Sequence, residues 1–426
     1  MRLLPKIFVA VSLLLSFPSA HGFQAATAAE NGTIAPSSAP SGTVAEILEA
    51  EAPPEAPANI ASESAILIDQ QSGRVLFAKN ERARLYPASI TKIVTAIVAL
   101  ETSRLDETVT VSREARYEDG TRVYLSEGEQ KSMELMLYAM MLNSGNDAAT
   151  AIAEHIDGSK AEFAERMNDF ATNTVGVSDT FFVNPSGLPD PNQVTTAADM
   201  ARIARYAMQN ETFREIVSTV QMPWDGLEWK SELYNHNRLL TTYEGATGIK
   251  NGYTTAAGNT LVSSATRGDE QLIGVVLKAP SNKNAYADMT ALFDYGFAAF
   301  ESAPLLAAGE THTEEIGDET YEWRAEEEIR ALMPIGALPS FRVDAQGSVL
   351  LDTEFGEQAV GTLTPVKKQV HALQNTEAAA AAMPVEEEKL RNGWIWAGAA
   401  GAVIAAAALW MAGKRRKKRR KSVHFP

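Results

Sequence analysis

The chain contains no cysteine. That excludes a disulfide framework, a thiol nucleophile and a thiolate metal site. Histidine is almost as scarce, and His21, His155, His236, His312, His371 and His424 show no metal-ligand spacing. No Gly-x-Ser-x-Gly elbow occurs, which argues against a Ser-His-Asp hydrolase, and no Gly-x-x-x-x-Gly-Lys loop is present to cradle phosphate. Neither a metal nor a cofactor is expected. Basic residues are few away from the two ends. Ten of the 38 Lys and Arg lie in residues 1–22 and 413–426, which hold no acidic residue. The remainder sets 28 basic against 54 acidic residues, a net of -26 where the whole chain has -16. Such a body is no partner for nucleic acid.

The ends themselves read as targeting segments. Residues 1–22 place Arg2 and Lys6 before an apolar run at 7–17 and close on Ala20-His21-Gly22, the pattern of a secretory signal peptide cleaved after Gly22. Residues 23–61 are Ala, Pro, Ser, Glu and Gly with almost no aromatic side chain, too little apolar surface to offset ordering, and predict a disordered spacer. Residues 394–412 form an uncharged run of 19 opened by Trp394 and Trp396, close to the length that crosses a bilayer. The basic block 414–421 follows at once. This predicts a single transmembrane helix with residues 413–426 as a cytoplasmic tail and the body outside the cell. Residues 366–393, rich in Ala and Glu, read as a stalk or linker.

Between the ends two units are expected. Residues 62–303 begin with strand patterns at 65–69 and 75–78 around a turn. Helical periodicity follows at 87–100, 133–141, 147–156, 160–172, 197–208 and 211–217. Strands return at 260–264 and 271–278, and a helix at 285–300 closes the unit. Strands at both ends of a helical middle predict an α+β arrangement with a mainly antiparallel sheet. Residues 304–365 hold short β-like pieces (320–323, 329–333, 341–343, 349–351, 358–363) separated by Gly, Pro and Asp, a small all-β module.

Three patterns could carry chemistry. In Tyr86-Pro87-Ala88-Ser89-Ile90-Thr91-Lys92, Ser89 and Lys92 share one face at the start of a helix, where free N–H groups favour negative charge on an attacked carbonyl. A serine needs a base, and a lysine in a crowded or dry site can supply one. Alone, the pair is more often a helix cap and a solvated lysine. Asn143-Ser144-Gly145-Asn146-Asp147 joins two helical runs. It reads as an ordinary loop, or as a cleft segment in which Ser144 relays a proton and Asn146 holds a substrate amide. Gly248-Ile249-Lys250-Asn251-Gly252-Tyr253 reads as a β-hairpin turning at Asn251-Gly252. Its other reading is an edge strand in which Lys250 supplies charge, Gly252 allows close approach and the Tyr253 N–H completes an oxyanion hole with that of Ser89.

Ser-x-x-Lys, Ser-x-Asn and Lys-x-Gly, each present once and in that order, are the motif set of penicillin-binding proteins and class A β-lactamases. Residues 65–300 resemble the low-molecular-mass serine D-alanyl-D-alanine carboxypeptidases, and the β-rich segment after Pro304 resembles their accessory domain. The resemblance implies a β-lactamase/transpeptidase-like domain. Ser89 would attack a peptidoglycan stem peptide ending in D-Ala-D-Ala, Lys92 would act as general base, and Ser144 and Asn146 would form the second motif. Lys250, Asn251 and Gly252 would bind the substrate end, β-lactams would acylate Ser89, and a C-terminal anchor is usual. Two further positions depart from the pattern, besides Asn251 in place of threonine: Ser186 stands where histidine is common, and Lys283 is the nearest cation to a missing arginine. A β-lactamase and a non-catalytic penicillin-binding sensor or wall-binding protein are the rival readings.

Overall fold

The computed structural model describes residues 55–370, apart from 318, 339, 354 and 355. The expected signal peptide, most of the spacer, the apolar run 394–412 and the basic tail lie outside the described residues. Among those described, no helix is long and apolar enough to cross a membrane.

One antiparallel sheet organises the first unit. Its strands are β1 (Ser64–Asp69), β2 (Val75–Lys79), β3 (Ala246–Thr254), β4 (Gly258–Arg267) and β5 (Glu270–Ala279), in the order β2-β1-β5-β4-β3. Both faces are covered, which explains the unbroken apolar run of β1. Ala65 and Leu67 pack with Met289, Leu292 and Phe293 of helix α5 (Asn282–Ala299), while Ile66 and Ile68 join the core on the opposite face. That larger core is built by helices α1 (Lys92–Thr102), α2 (Met133–Leu142), α3 (Asn146–Asp157) and α4 (Ala197–Ala207). The helices at 160–169 and 211–218 also match the periodicity, the former running on into a π-helical turn, Phe170–Val175.

Three local readings change. The predicted helix at 87–100 opens as a 3₁₀ turn, Ala88–Thr91, before α1 begins at Lys92. Asn251-Gly252 is not a hairpin turn. It lies inside β3, where Gly252 pairs with Thr260 and Tyr253 with Asn259, because a long register with β4 outweighs a two-residue turn preference. The chain also joins the folded body before Ser62. Ile60 is buried, and the N–H groups of Ala61 and Ser62 donate to the Asp288 carboxylate of α5 at 3.0 and 2.7 Å.

The second unit is all-β. Strand Phe300–Leu306 continues directly from α5 and pairs with Ile329–Pro334, so the module starts ahead of residue 304. Strand Thr364–Val370 pairs with Glu319–Arg324 and carries the module past 365, into the first residues of the expected stalk. Leu306, Trp323, Ile329, Val343, Val349 and Leu363 form its core.

Candidate active site

The site is assembled from four segments. The 3₁₀ turn brings the first two residues together: three residues per turn eclipse positions i and i+3, and the Lys92 Nζ lies 3.2 Å from the Ser89 Oγ. Lys92 has no solvent exposure. The loop between α2 and α3 supplies the next contact, with Asn146 Oδ1 accepting from the Lys92 Nζ at 2.6 Å. The Asn146 side chain is itself fixed by Nδ2 donating to the Asp119 carbonyl at 2.7 Å, which leaves one amide hydrogen for a ligand. Ser144, two residues earlier, is buried with a left-handed backbone (φ 60°), and its hydroxyl has no hydrogen-bond partner among the described residues.

Edge strand β3 forms the other wall. Gly252 backs so closely onto the nucleophile turn that a Cβ there would lie 2.7 Å from the Ser89 nitrogen and 2.6 Å from the Thr260 Oγ1. The expected role of Gly252 in close approach is therefore physical. Thr260 Oγ1 donates to the Pro87 carbonyl at 2.9 Å and ties the turn to the sheet. Lys250 is buried, with Nζ donating to the Asn251 carbonyl at 3.1 Å and to its Oδ1 at 3.3 Å. Tyr253 is exposed on the same strand.

The fourth segment is the one in which Ser186 departs from the family pattern, and it contributes a main-chain atom that no motif marks. The Ser186 carbonyl accepts from the Lys92 Nζ at 2.6 Å. Asn184 Oδ1 shapes this loop by accepting from the N–H groups of Ser186, Gly187 and Leu188, and Thr95 Oγ1 of α1 holds the Pro185 carbonyl at 2.6 Å. The contact is made by a main-chain oxygen, so serine in place of histidine at 186 costs the lysine nothing. Gly187 is required by its φ of 88° and because a Cβ would collide with the Ala88 carbonyl.

The electrostatics follow from burial. Burial is the largest cause that lowers Lys92 well below the ordinary lysine range, and the Lys250 charge adds to it. Burial brings Lys250 down to about 7. His236 is open to solvent in part, yet the surrounding protein, with a further contribution from Lys250 and Lys92 when they are charged, holds it at about 4. Lys283 is exposed in the first turn of α5 and makes no hydrogen bond or ion pair among the described residues.

A neutral amine has two N–H donors and one lone pair. The Lys92 Nζ donates to the carbonyl acceptors of Asn146 and Ser186 at 2.6 Å and lies at the longer distance of 3.2 Å from the Ser89 Oγ, so that in its neutral form the amine would have its lone pair free for the serine. This is the geometry of a serine hydroxyl facing a lysine base, in a mixed helix-and-sheet fold. The same architecture is seen in penicillin binding protein 5 from Haemophilus influenzae, with 28% identity, a TM-score of 0.62, and coverage of 74% of this chain and 98% of that one. Residues 49–281 match the family model of the D-alanyl-D-alanine carboxypeptidases, peptidase S11, and the chain belongs to this family. Among relatives, it is 35% identical over 256 residues to D-alanyl-D-alanine carboxypeptidase DacF of Bacillus subtilis, a match covering 59% of this chain and 66% of that protein. It is 32% identical over 303 residues to DacD of Escherichia coli, covering 67% of this chain and 77% of that protein.

Proposed function

We propose that this protein is a serine D-Ala-D-Ala carboxypeptidase that trims the terminal D-alanine from peptidoglycan stem pentapeptides. Lys92 takes the Ser89 hydroxyl proton as Oγ attacks the penultimate D-alanine carbonyl. The N–H groups of Ser89 and Tyr253 take the negative charge on its oxygen. The proton passes to the leaving amine with Ser144 as relay, D-alanine departs, and water then cleaves the ester on Ser89. Lys250, with Asn251 and Gly252 on the same strand, binds the terminal carboxylate, and Asn146 offers its remaining amide hydrogen to the peptide. The product lacks the bond that a cross-linking enzyme would use. β-Lactams acylate the same serine, because their strained amide resembles the substrate end.

The observation that carries this reading is the buried Lys92 beside Ser89, with its Nζ held by the Asn146 and Ser186 carbonyls at 2.6 Å. The leader pattern at 1–22, the apolar run 394–412 and the basic block behind it support export, with the unit that ends with α5 as catalytic domain and the β module outside the membrane. The test is D-alanine release from an acyl-D-Ala-D-Ala pentapeptide by the purified protein. Release that vanishes in Ser89→Ala is the expected result. Labelling by a fluorescent penicillin without any D-alanine release would sink the carboxypeptidase reading, and rapid penicillin hydrolysis would point to a β-lactamase.

A further inference from the structure

The catalytic set holds the end of a stem peptide, and nothing in it recognises the sugar strand from which the stem hangs. The loop that packs on Asn146, with Trp229 beside it, carries three aromatic side chains that the chemistry does not use. Tyr117 is 62% and Tyr124 49% exposed, and Trp229 is half-buried beside them. Large exposed rings gathered in one place call for a use, where scattered ones do not.

Their placement is specified. Tyr124 has φ 55°, a left-handed backbone that costs an aromatic residue free energy and that Asn or Gly would take more cheaply. Its neighbours leave it no choice. The Asp147 carboxylate accepts from the N–H groups of Val123 and Leu125 at 3.1 Å, both neighbours are buried, and Tyr124 is turned outward between them. Each tyrosine is backed by a guanidinium: Arg116 lies 5.4 Å from the Tyr117 ring centre and Arg122 5.4 Å from that of Tyr124. Arg116 is in turn held by Glu228 at 3.1 Å, and Arg122 Nη1 donates to the Arg116 carbonyl at 3.2 Å. Trp229 meets Tyr124 edge-on at 6.0 Å. The rings are thus fixed before any ligand arrives, with one face of each tyrosine covered by arginine. The same loop touches the catalytic set, since the Asn146 N–H donates to the Thr121 carbonyl and Asn146 Nδ2 to that of Asp119, each at 2.7 Å.

We infer that Tyr117, Tyr124 and Trp229 form a carbohydrate platform for the acetylated amino-sugar strand that carries the stem peptide. A pyranose presents a face of C–H groups that stacks on a free aromatic face, here the tyrosine faces that the arginines leave open. This rests on the carboxypeptidase reading for the identity of the strand, and its test separates the two. The wild-type protein is titrated with a soluble β-1,4-linked N-acetylglucosamine hexamer, and kcat/KM is compared for a disaccharide-pentapeptide and the free pentapeptide. Saturable hexamer binding and a preference for the sugar-bearing substrate are expected. Both should fall about tenfold in Tyr124→Ala and persist in Tyr124→Phe, with free-pentapeptide turnover and penicillin labelling unchanged. Absence of hexamer binding, or equal effects of Tyr124→Ala on both substrates, overturns the platform. Loss of D-alanine release in the wild type overturns the carboxypeptidase reading alone, since the hexamer titration is still decided on its own.

Discussion

At the scale of single residues, the proposed mechanism asks opposite protonation states of the two buried lysines. Lys92 must be neutral to accept the Ser89 proton, and its burial together with the Lys250 charge lowers its pKa in that direction. Lys250 must be charged to attract a carboxylate, and its pKa of about 7 sets a limit on that. A lysine is protonated below its pKa, so raising the pH through about 7 removes the Lys250 charge from the free enzyme. We therefore predict that kcat/KM for a peptide ending in a free carboxylate falls on the alkaline side with a midpoint near the Lys250 value. The same peptide amidated at its C-terminus should lack that limb. A profile flat to well above neutrality would contradict this assignment. Lys92→Ala should slow acylation by a fluorescent penicillin about a thousandfold, within the range of lost base catalysis. Asn251→Ala, which removes the Oδ1 that meets the Lys250 Nζ, should raise KM about tenfold with a smaller change in kcat. The residues that the structure brings together, Ser89 with Lys92 and Asn146, and Gly252 against the Ser89 turn, were legible in the sequence because motifs are written in side-chain types. The Ser186 carbonyl was not, since every residue has one and no pattern marks which carbonyl faces a lysine.

At the scale of elements, the site depends on segments held at fixed distances by small residues and side-chain-to-backbone bonds. The nucleophile turn is gripped between Gly252 of β3 and Gly187 of the 184–188 loop. Gly252→Ala puts a methyl group 2.7 Å from the Ser89 nitrogen, so the turn or the strand must give way. Acylation should fall about a hundredfold while far-UV circular dichroism stays native, a loss typical of misplaced reacting groups. Asn184→Ala leaves the N–H groups of Ser186, Gly187 and Leu188 without their shared acceptor. A loss of about 2 kcal/mol in urea unfolding is expected, with slower acylation, because part-buried donors that lose their acceptor are costly. Periodicity identified α2, α3, α4 and α5 because each has one dominant apolar face or run. The 3₁₀ opening of α1 escaped it, since one turn differs from an α-helix by a single hydrogen-bond step. β3 was ambiguous for a different reason: Asn251-Gly252 satisfies a local turn rule, and only pairing with β4, distant information in a sequence, decides against it.

At the scale of the whole molecule, the two units are joined without slack. Arg74, in the turn between β1 and β2, is buried in the β module, where Nη1 donates to the Leu332 carbonyl and the guanidinium lies 5.9 Å from the Phe300 ring centre. The neighbouring Val75 N–H donates to Gln358 Oε1 at 2.8 Å. Arg74→Met should therefore weaken the junction, with faster hydrogen exchange along Phe300–Leu306 and about 1–3 kcal/mol less stability. Penicillin labelling should be untouched, because the contact lies away from Ser89. Composition had marked the change of architecture near Pro304, and packing moved the joint to Phe300, whose ring belongs to the core under α5. The proposed reaction passes through an ester at Ser89. Mass spectrometry of the protein quenched during turnover of a D-Ala-D-Ala peptide tests it most directly. An adduct of the peptide minus one D-alanine on the fragment containing Ser89 is expected. An adduct on any other residue, or D-alanine release with no adduct under conditions that trap a penicilloyl ester, would contradict it.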